Sequence, residues 1–182
     1  IQEELDDKHR LGYILNNIGY VYGKKDDYDT ALDNFNRSLA IREELGDKGM
    51  IRANLYNVGA VHYLKGDYEK ALDYFSRSLA INEKLGNKYE MIYTLNIIGI
   101  VHYYKGDYEK ALGYLEKSSS TQKEIGLKVI ELETTAYLYL SYTHLGKKYD
   151  EKHIHRLIKD TKNIEYELNF ILYQLLNDVP YL

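Results

Sequence analysis

The stretch VHYLKGDYEKALDYFSRSLA at residues 61–80 returns almost unchanged forty positions later, as VHYYKGDYEKALGYLEKSSS at residues 101–120. The same interval separates the members of two sets of small residues: Gly19, Gly59 and Gly99, and Ala31, Ala71 and Ala111. Self-similarity at a fixed period of this length is the sequence signature of a repeat architecture. The chain therefore contains several copies of one structural unit.

The 182 residues divide into blocks at this period. The first eight residues, IQEELDDK, align without a gap with IREELGDK at the end of the first complete block. We therefore expect the chain to start within the last helix of an earlier repeat and to be a fragment of a longer array. The expected division is a helix tail, three complete repeats, a degenerate repeat, and an extra or capping helix: 1–6, 7–46, 47–86, 87–126, 127–162 and 163–182.

Each block predicts two helices. Between Arg52 and Leu64, apolar or small residues recur at the i, i+3, i+4, i+7 spacing of one helix face. Gly66 is suited to end this helix and Asp67 to cap the next one, whose apolar face runs from Ala71 to Leu79. One such hairpin cannot bury its apolar face alone, so neighbouring hairpins must stack to form a core.

The mid-block glycines predict a close approach between helices. Glycine inside a helix costs about 1 kcal/mol relative to alanine, yet it stands at Gly19, Gly59 and Gly99. We expect the two helices of a hairpin to come too close there for a larger side chain. The predicted small partners are the second-helix alanines Ala31, Ala71 and Ala111.

The order Leu, Val-Gly, His, Gly-Asp-Tyr, Ala, Phe, Ser between residues 55 and 78 resembles the tetratricopeptide repeat. The blocks are 40 residues long rather than the usual ~34. In this they are similar to the long-helix subclass of the LGN/Pins polarity adaptors, kinesin light chains and bacterial regulatory proteins. The resemblance implies an all-α solenoid of stacked antiparallel helix pairs in a right-handed superhelix, with about four repeats plus a C-terminal helix.

Composition argues against several functional classes. The net charge is −4 with dispersed Lys and Arg, whereas a nucleic-acid surface needs a concentrated basic face. No apolar run approaches the roughly 18 residues of a membrane span. The chain has no cysteine, which excludes disulfides and thiolate chemistry. We expect a cytoplasmic protein that binds neither nucleic acid nor membrane.

Candidate chemistry is sparse. His62 and His102 occupy equivalent positions in successive hairpins, and stacked helices lie about 8–10 Å apart, too far for both imidazoles to reach one zinc at ~2 Å. They are interpreted as core or hydrogen-bonded histidines. His153 and His155 are two residues apart and point to different helix faces. We therefore predict no metal site, no cofactor and no catalytic activity.

The resemblance implies that the first helix of each hairpin lines a concave, peptide-binding face. Residues in that register, together with asparagines that hold a peptide backbone in LGN-like arrays, form the predicted site: Tyr13, Asn16, Asn17, Tyr20, Lys24, Tyr56, Asn57, Tyr63, Tyr93, Asn96, Ile100, Tyr103, Tyr104, Leu140 and His144. Tyrosine supplies apolar contact and hydroxyl hydrogen bonds at low entropic cost. We expect a protein or peptide segment to bind in this tyrosine-rich groove. The alternative is that half of these tyrosines only pack against neighbouring hairpins.

Two other functions stay open at this stage. The apolar segment Ile164 to Leu176 and the open ends of the array suggest a self-associating scaffold. The chain could also be a regulatory or sensor arm of a larger signalling protein. The segment itself is either a capping helix or the first helix of a fifth hairpin.

The joint between the third and fourth blocks departs from the pattern. Ser119 stands where Leu39 and Leu79 stood, and Thr121 replaces an isoleucine. Each fully buried aliphatic residue contributes roughly 1.5–3 kcal/mol. We therefore predict a softer or rotated joint, and early hydrogen exchange in the last two helices.

Overall fold

The computed structural model describes residues 2–161 and 164–176. Within these ranges the chain is all-α, which confirms the predicted fold class. The described residues divide into two compact units, with the boundary between Asn87 and Lys88. Unit 1 contains α1 (Gln2–Gly23), α2 (Tyr28–Leu45), α3 (Lys48–Leu64) and α4 (Tyr68–Leu85). Unit 2 contains α5 (Lys88–Tyr104), α6 (Tyr108–Ile125), α7 (Glu131–His144), α8 (Glu151–Asp160) and α9 (Tyr166–Leu176).

A glycine in left-handed conformation follows each of the helices α2 to α7. Gly46 follows α2 with φ of 69°, and its N–H and that of the next residue bond back to carbonyls of the last turn. Gly66 plays the same role after α3, with φ of 78°. A side chain at either position would be strained, because residues with a Cβ atom rarely adopt this conformation.

The structure differs from the expected division at its first boundary. Helix α1 runs through residues 6 and 7 without interruption, whereas α2 ends before Gly46. The aligned position near the start of the chain holds Asp6, and aspartate enters the left-handed region far less readily than glycine. The sequence there lacks the residue that breaks the helix, so one long helix forms.

The mid-block glycines do mark close approaches, but the predicted partners were wrong. A Cβ on Gly19 would lie 2.8 Å from the Phe35 ring, and one on Gly59 would lie 2.9 Å from Phe75. On Gly99 it would lie 2.6 Å from Cγ of Leu115. At Gly19 and Gly59 the glycine therefore makes room for one large core side chain of the second helix rather than for its alanine. At Gly99 the backbone oxygen of Ala111 also lies 3.3 Å from the Cβ position.

Asp67 lies at the N-cap position of α4, as the sequence predicts, but its side chain does not cap the helix. Asp27 and Asp47 accept hydrogen bonds from the backbone N–H of Thr30 and Met50 at 3.2 and 3.1 Å, but Asp67 makes no such bond. Its carboxylate instead lies 3.4 Å from Nδ1 of His62. That contact confirms the interpretation of this histidine as a hydrogen-bonded residue.

The same arrangement recurs in unit 2. His102 lies 3.3 Å from Asp107 and stacks on Tyr114. Burial lowers the pKa of His102, while the hydrogen bond to Asp107 opposes that shift. The histidine is therefore a neutral, buried hydrogen-bonding group near neutral pH.

The fourth hairpin is built differently. Helix α7 starts only at Glu131, because Leu127 replaces the Asp or Asn that precedes α3 and α5 and cannot cap a helix. Tyr139 takes the place of the mid-block glycine and is buried. Its ring stacks on Tyr149 at 4.7 Å, and its hydroxyl lies 2.9 Å from Nδ1 of His153. In the other hairpins a large side chain of the second helix packs against the glycine at this position, whereas in the fourth hairpin the first helix itself supplies the large ring.

Helix α9 packs on α7. It lies inside the segment for which the sequence predicts an additional helix. Ile171, Leu172 and Leu175 are buried, and the hydroxyl of Tyr149 donates to the carbonyl of Leu175 at 3.2 Å. Residues 162, 163 and 177–182 lie outside the described residues.

The joint between α6 and α7 is polar. Nε2 of Gln122 donates to Oγ1 of Thr134 at 2.9 Å, and that hydroxyl lies 2.8 Å from Oδ1 of Asn96. Thr121, which replaces an aliphatic residue, donates to the carbonyl of Lys117. Side-chain hydrogen bonds thus connect the helices at this joint, and its early opening stays a prediction.

Candidate functional site

The groove-facing residues of unit 1 lie on α1 and α3, which contact each other side by side. Tyr13 and Tyr20 are 56% and 57% exposed. Nδ2 of Asn57 donates to Oδ1 of Asn16 at 3.0 Å, which ties the two helices together. The asparagines at these positions therefore bond to each other in the absence of a peptide.

Between these helices lies a depression of about 220 Å³, which we call the α1–α3 pocket. It is lined by Tyr20, Gly23, Lys24, Phe35, Tyr56, Asn57, Ala60, Val61 and Leu64. Four of these, Tyr20, Lys24, Tyr56 and Asn57, belong to the predicted site. Small-molecule pockets usually measure ~300–1,000 Å³, so this one is better matched to one or two apolar side chains.

The pocket combines an apolar floor with a polar edge. Val61 and Phe35 are buried members of the unit 1 core, and Leu64 is 57% exposed beside them. Nζ of Lys24 lies 5.5 Å from the centroid of the Tyr20 ring, within the range of a cation–π contact. The pocket can therefore accept an apolar group while the lysine and Asn57 offer hydrogen-bond donors beside it.

The equivalent positions of unit 2, eighty residues later, form what we call the aromatic cluster: Tyr103, Tyr104, Tyr108, Tyr137 and His144. The ring of Tyr103 lies 5.4–5.7 Å from those of the four others. Tyr108 and His144 stack at 4.2 Å, and the hydroxyls of Tyr104 and Tyr137 are 3.0 Å apart. Burial raises the pKa of Tyr103. These side chains fill the space that the pocket leaves open in unit 1.

Three other predicted site residues of unit 2 are buried. Ile100 and Leu140 are 3% and 4% exposed, so they belong to the core rather than to an open groove. Asn96 is also buried, and its Nδ2 donates to Oε2 of Glu133 at 2.7 Å. Burial raises the pKa of Glu133, the Asn96 hydrogen bond opposes this, and the nearby Glu165 and Glu167 raise it further.

The remaining predicted residues lie at the margins. Tyr63 packs on Tyr68 with ring centroids 6.1 Å apart, and Tyr93 pairs with Tyr89 at 5.2 Å. Asn17 is exposed. The structure therefore groups part of the predicted site at the pocket, part in the cluster, and leaves the rest outside both.

Sequence reasoning missed four residues that shape these two places. Phe35 and Val61 floor the pocket, and Tyr108 and Tyr137 complete the cluster. The recurrent Gly19 is the sequence signal for Phe35, because the glycine leaves room for that ring. Tyr137 gave a weaker signal, since it stands where the first two blocks have Asn17 and Asn57.

Among the described residues, no three or more His, Asp and Glu side chains are grouped so that they could hold a metal ion. Of the helices in the described ranges, none is both long enough and apolar enough to span a membrane.

Comparison with known families decides the class of protein. One tetratricopeptide repeat model matches residues 50–124, and a second matches residues 11–45. Together the two matches cover more than half of the chain. The chain belongs to the tetratricopeptide repeat family. Such repeats are generally non-catalytic interaction scaffolds, and the repeats of this chain are those of a protein–protein interaction module in general.

Solved structures share the fold at low sequence identity. The apo form of RapI superposes with a TM-score of 0.72 at 17% identity, over 91% of this chain and 57% of that one. A second structure is that of PH0952 of Pyrococcus horikoshii, a signal transduction ATPase with numerous domains and a tetratricopeptide repeat sensor. It superposes with a TM-score of 0.73 at 20% identity, over 97% of this chain and 26% of that one. A kinesin light chain repeat protein of Podosopora anserina superposes with a TM-score of 0.63 at 12% identity, over 97% of this chain and 89% of that one.

This chain therefore spans little more than half of RapI and about a quarter of the Pyrococcus protein. At these identities the likeness concerns the fold alone. None of the curated proteins matches the sequence.

Proposed function

We propose that this tetratricopeptide repeat module captures a peptide segment on the α1–α3 face of unit 1, with an apolar side chain of the peptide seated in the α1–α3 pocket. The observation that carries the proposal is the convergence of Tyr20, Lys24, Tyr56 and Asn57, all predicted from sequence register, around one apolar depression.

The size and edge of the pocket favour a peptide anchor. A volume of about 220 Å³ is small for a cofactor but ample for a leucine- or phenylalanine-sized group. Asn57 and Lys24 supply donors at the edge, where they would meet the carbonyls of an extended backbone. Interface energy concentrates in a few buried aromatic anchors, and Tyr20 and Tyr56 are residues of that type.

Unit 1 is a better site than unit 2 for such a peptide. In the aromatic cluster Tyr103 already contacts four neighbouring rings, so a peptide would have to displace it. In the pocket the equivalent position is Gly23, which has no side chain. A peptide therefore displaces no protein side chain from that position in unit 1.

The test is peptide-display panning against the full chain, followed by affinity measurement of the selected peptide. Tyr20→Ser should weaken binding by about tenfold or more, since it removes an exposed anchor worth at least ~1.4 kcal/mol. Tyr89→Ser is the matched control, because Tyr89 is a similarly exposed tyrosine, 49% against 57%, outside the predicted site. Circular dichroism checks that both variants keep their helices.

Selected peptides should share an apolar residue and lose affinity only with the Tyr20 variant. If Tyr20→Ser and Tyr89→Ser bind equally well, or if panning enriches no sequence pattern, the proposal is wrong.

A second candidate function, self-association, rests on the outer face of α9. Tyr166, Phe170 and Tyr173 follow the i, i+4, i+7 spacing and are 83%, 54% and 43% exposed. Such an apolar stripe is typical of an interaction surface. Light scattering over a wide concentration range tests it: a mass that rises above 21.4 kDa, and that Phe170→Ser returns to the monomer, would favour this function. The cytoplasmic location and the absence of nucleic-acid partners stay predictions.

A further inference from the structure

The turn between α1 and α2 contains a residue in an unfavourable conformation. Asp26 has a φ of 59°, and within the described ranges it is the only residue other than glycine with a positive φ. The equivalent positions of the next three hairpins hold Gly66, Gly106 and Gly146, whose φ values are 78°, 79° and 65°. Residues with a Cβ atom enter this region at a cost. The first hairpin therefore has an aspartate where glycine would fit more easily.

The backbone of the turn does not explain the aspartate. The N–H of Asp26 donates to the carbonyl of Gly23 at 3.2 Å. In the next hairpin the N–H of Gly66 donates to the carbonyl of Tyr63 at 2.9 Å. The two turns make the same hydrogen bond at the same position, so glycine serves the backbone as well as aspartate does. What aspartate adds is a carboxylate.

The carboxylate of Asp26 holds the side chain of Tyr28. The hydroxyl of Tyr28 donates to Oδ1 of Asp26 at 2.9 Å. This hydrogen bond raises the pKa of the Tyr28 hydroxyl, so the hydroxyl remains protonated and able to donate at neutral pH. The ring of Tyr28 packs against the unit 1 core. We call the hydrogen bond between these two side chains the Asp26–Tyr28 tether.

The tyrosines at the equivalent position of the next two hairpins make different contacts. Tyr68 packs on Tyr63, with ring centroids 6.1 Å apart. The ring of Tyr108 lies 5.7 Å from that of Tyr103 and stacks on His144 at 4.2 Å. In both hairpins a glycine precedes the tyrosine by two positions, so no carboxylate holds the tyrosine from there.

The contacts of Tyr108 show where a tyrosine at this position can reach. Its two ring partners correspond, eighty residues earlier, to Gly23 and Leu64, which both line the α1–α3 pocket. A Tyr28 ring placed as Tyr108 is placed in unit 2 would therefore lie against that pocket. Among the described residues that line the pocket, Tyr28 is absent.

We propose that Asp26 is a positioning residue for peptide capture, because its carboxylate holds the Tyr28 ring on the unit 1 core and so keeps the α1–α3 pocket open. The inference rests on the proposed function, since an open pocket matters only if a peptide enters it. Gly23 leaves the space between the helices, and the tether keeps a neighbouring ring out of it. Without the tether a peptide has to displace that ring.

The experiment measures the affinity of the peptide selected by panning for the full chain and its variants. Asp26→Gly removes the carboxylate and places in the turn the residue that its conformation favours. The variant should raise the Tm by about 2 °C. It should nevertheless weaken peptide binding about threefold or more, because only a fraction of the molecules then has an open pocket. Higher stability together with lower affinity excludes unfolding as the cause.

Two further variants identify the hydrogen bond as the cause. Asparagine also enters the left-handed region, and its side-chain oxygen accepts a hydrogen bond without carrying a charge. Asp26→Asn should therefore bind within about twofold of the wild type. Tyr28→Phe lacks the hydroxyl and should weaken binding as much as Asp26→Gly does. The double variant should bind no more weakly than either single variant, because both changes remove the same bond.

Nuclear magnetic resonance of the free chain tests the tether without a peptide. Ala60 lines the pocket. Nuclear Overhauser contacts between the Tyr28 ring and the methyl group of Ala60 should be stronger in Asp26→Gly than in the wild type. Contacts of equal strength in both would mean that the carboxylate does not hold the ring, and the inference would be wrong.

Tyr20→Ser, measured in parallel, separates this inference from the proposed function. If Tyr20→Ser weakens binding while Asp26→Gly and Tyr28→Phe bind as the wild type does, only this inference is wrong. The same conclusion follows if Asp26→Asn loses as much affinity as Asp26→Gly, since charge rather than the hydrogen bond would then matter. If Tyr20→Ser binds as well as the wild type, the proposed function fails, and Asp26 then positions no residue for peptide capture.

Discussion

Gly23 and Tyr103 occupy equivalent positions in the two units, and the contrast between them separates an open pocket from a packed interior. In unit 1, Gly23 and Ala60 leave space between α1 and α3. In unit 2, Tyr103 and the buried Leu140 occupy the same positions, and that space is filled. The position of a residue within the repeat determines which way its side chain faces. The sizes of the side chains on the two first helices decide whether that face can receive a ligand.

The largest expected effect follows from this contrast. Tyr103→Ala removes a ring that contacts four others, and it should lower the free energy of unfolding by about 2–3 kcal/mol, less than the ~3–5 kcal/mol of a fully buried aromatic residue. Tyr20→Ala removes an exposed ring and should change it by no more than about 0.5 kcal/mol. Urea denaturation followed by circular dichroism measures both. Equal losses for the two variants would show that the tyrosines of both units are structural.

A smaller change in stability is expected at the mid-block glycines, whose close helix contacts occur in both units. Gly99→Ala places a Cβ atom 2.6 Å from Leu115 and should cost about 1–2 kcal/mol, because overpacking outweighs the gain in helix propensity. Gly113→Ala is the same substitution inside a helix with nothing within 4 Å. It should instead stabilise the chain by up to about 1 kcal/mol. The opposite signs are the prediction, and a gain at both positions would mean that Leu115 moves aside freely.

Gly23→Tyr tests the same contrast in unit 1, since it introduces there the tyrosine that unit 2 has at the equivalent position, Tyr103. Gly23 is helical, and the nearest atom to a Cβ there is 3.9 Å away, so the backbone should tolerate a side chain. We expect the tyrosine to occupy the α1–α3 pocket and to weaken peptide binding by about tenfold, or ~1.4 kcal/mol. Titration of a panned peptide measures this.

Gly113→Tyr, on the exposed side of α6, is the control for adding a tyrosine. Unchanged affinity in Gly23→Tyr would show that the peptide does not enter the pocket.

The sequence predicted the helices and their register well, because both follow from local spacing and from a period that repeats three times. It could not predict which groove positions are open. Ile100 was expected on the groove, yet it is buried, because the neighbouring helix α7 brings Leu140 and Tyr137 to the same region. Exposure depends on residues far away in the chain, and a single helix pattern does not contain that information.

The residues that contact the mid-block glycines could not be predicted from the sequence either. Small residues recur at Ala31 and at Gly19, and the simplest inference is that they meet. The glycine instead faces Phe35, one helical turn further along α2. Helix crossing geometry shifts contacts by such a turn, and it is set by the packing of the whole hairpin.

The smallest expected effect is a pH dependence confined to unit 2. The groups that face Glu133 are Asn96 from α5 and the carboxylates of Glu165 and Glu167 beside and within α9. Unit 1 has no counterpart, because the equivalent position in α3 is Ala53. Burial and the two carboxylates raise the pKa of Glu133 in the folded chain, so the folded state binds its proton more tightly than the unfolded state does.

The contribution of the Glu133 carboxyl to stability is therefore fully present below its pKa in the unfolded chain, about 4.3. It is lost as the pH rises through the higher pKa that this carboxyl has in the folded chain. Glu133→Gln keeps an uncharged hydrogen-bonding group and should remove that part of the pH dependence. Urea denaturation at a series of pH values from about 4 to 8 measures the difference between wild type and variant. Glu109→Gln, on the exposed side of α6, controls for the loss of one charge. If the wild type and Glu133→Gln follow parallel curves, the carboxyl of Glu133 is ionised at no cost, and the surroundings of this carboxyl between α5, α7 and α9 are already solvated.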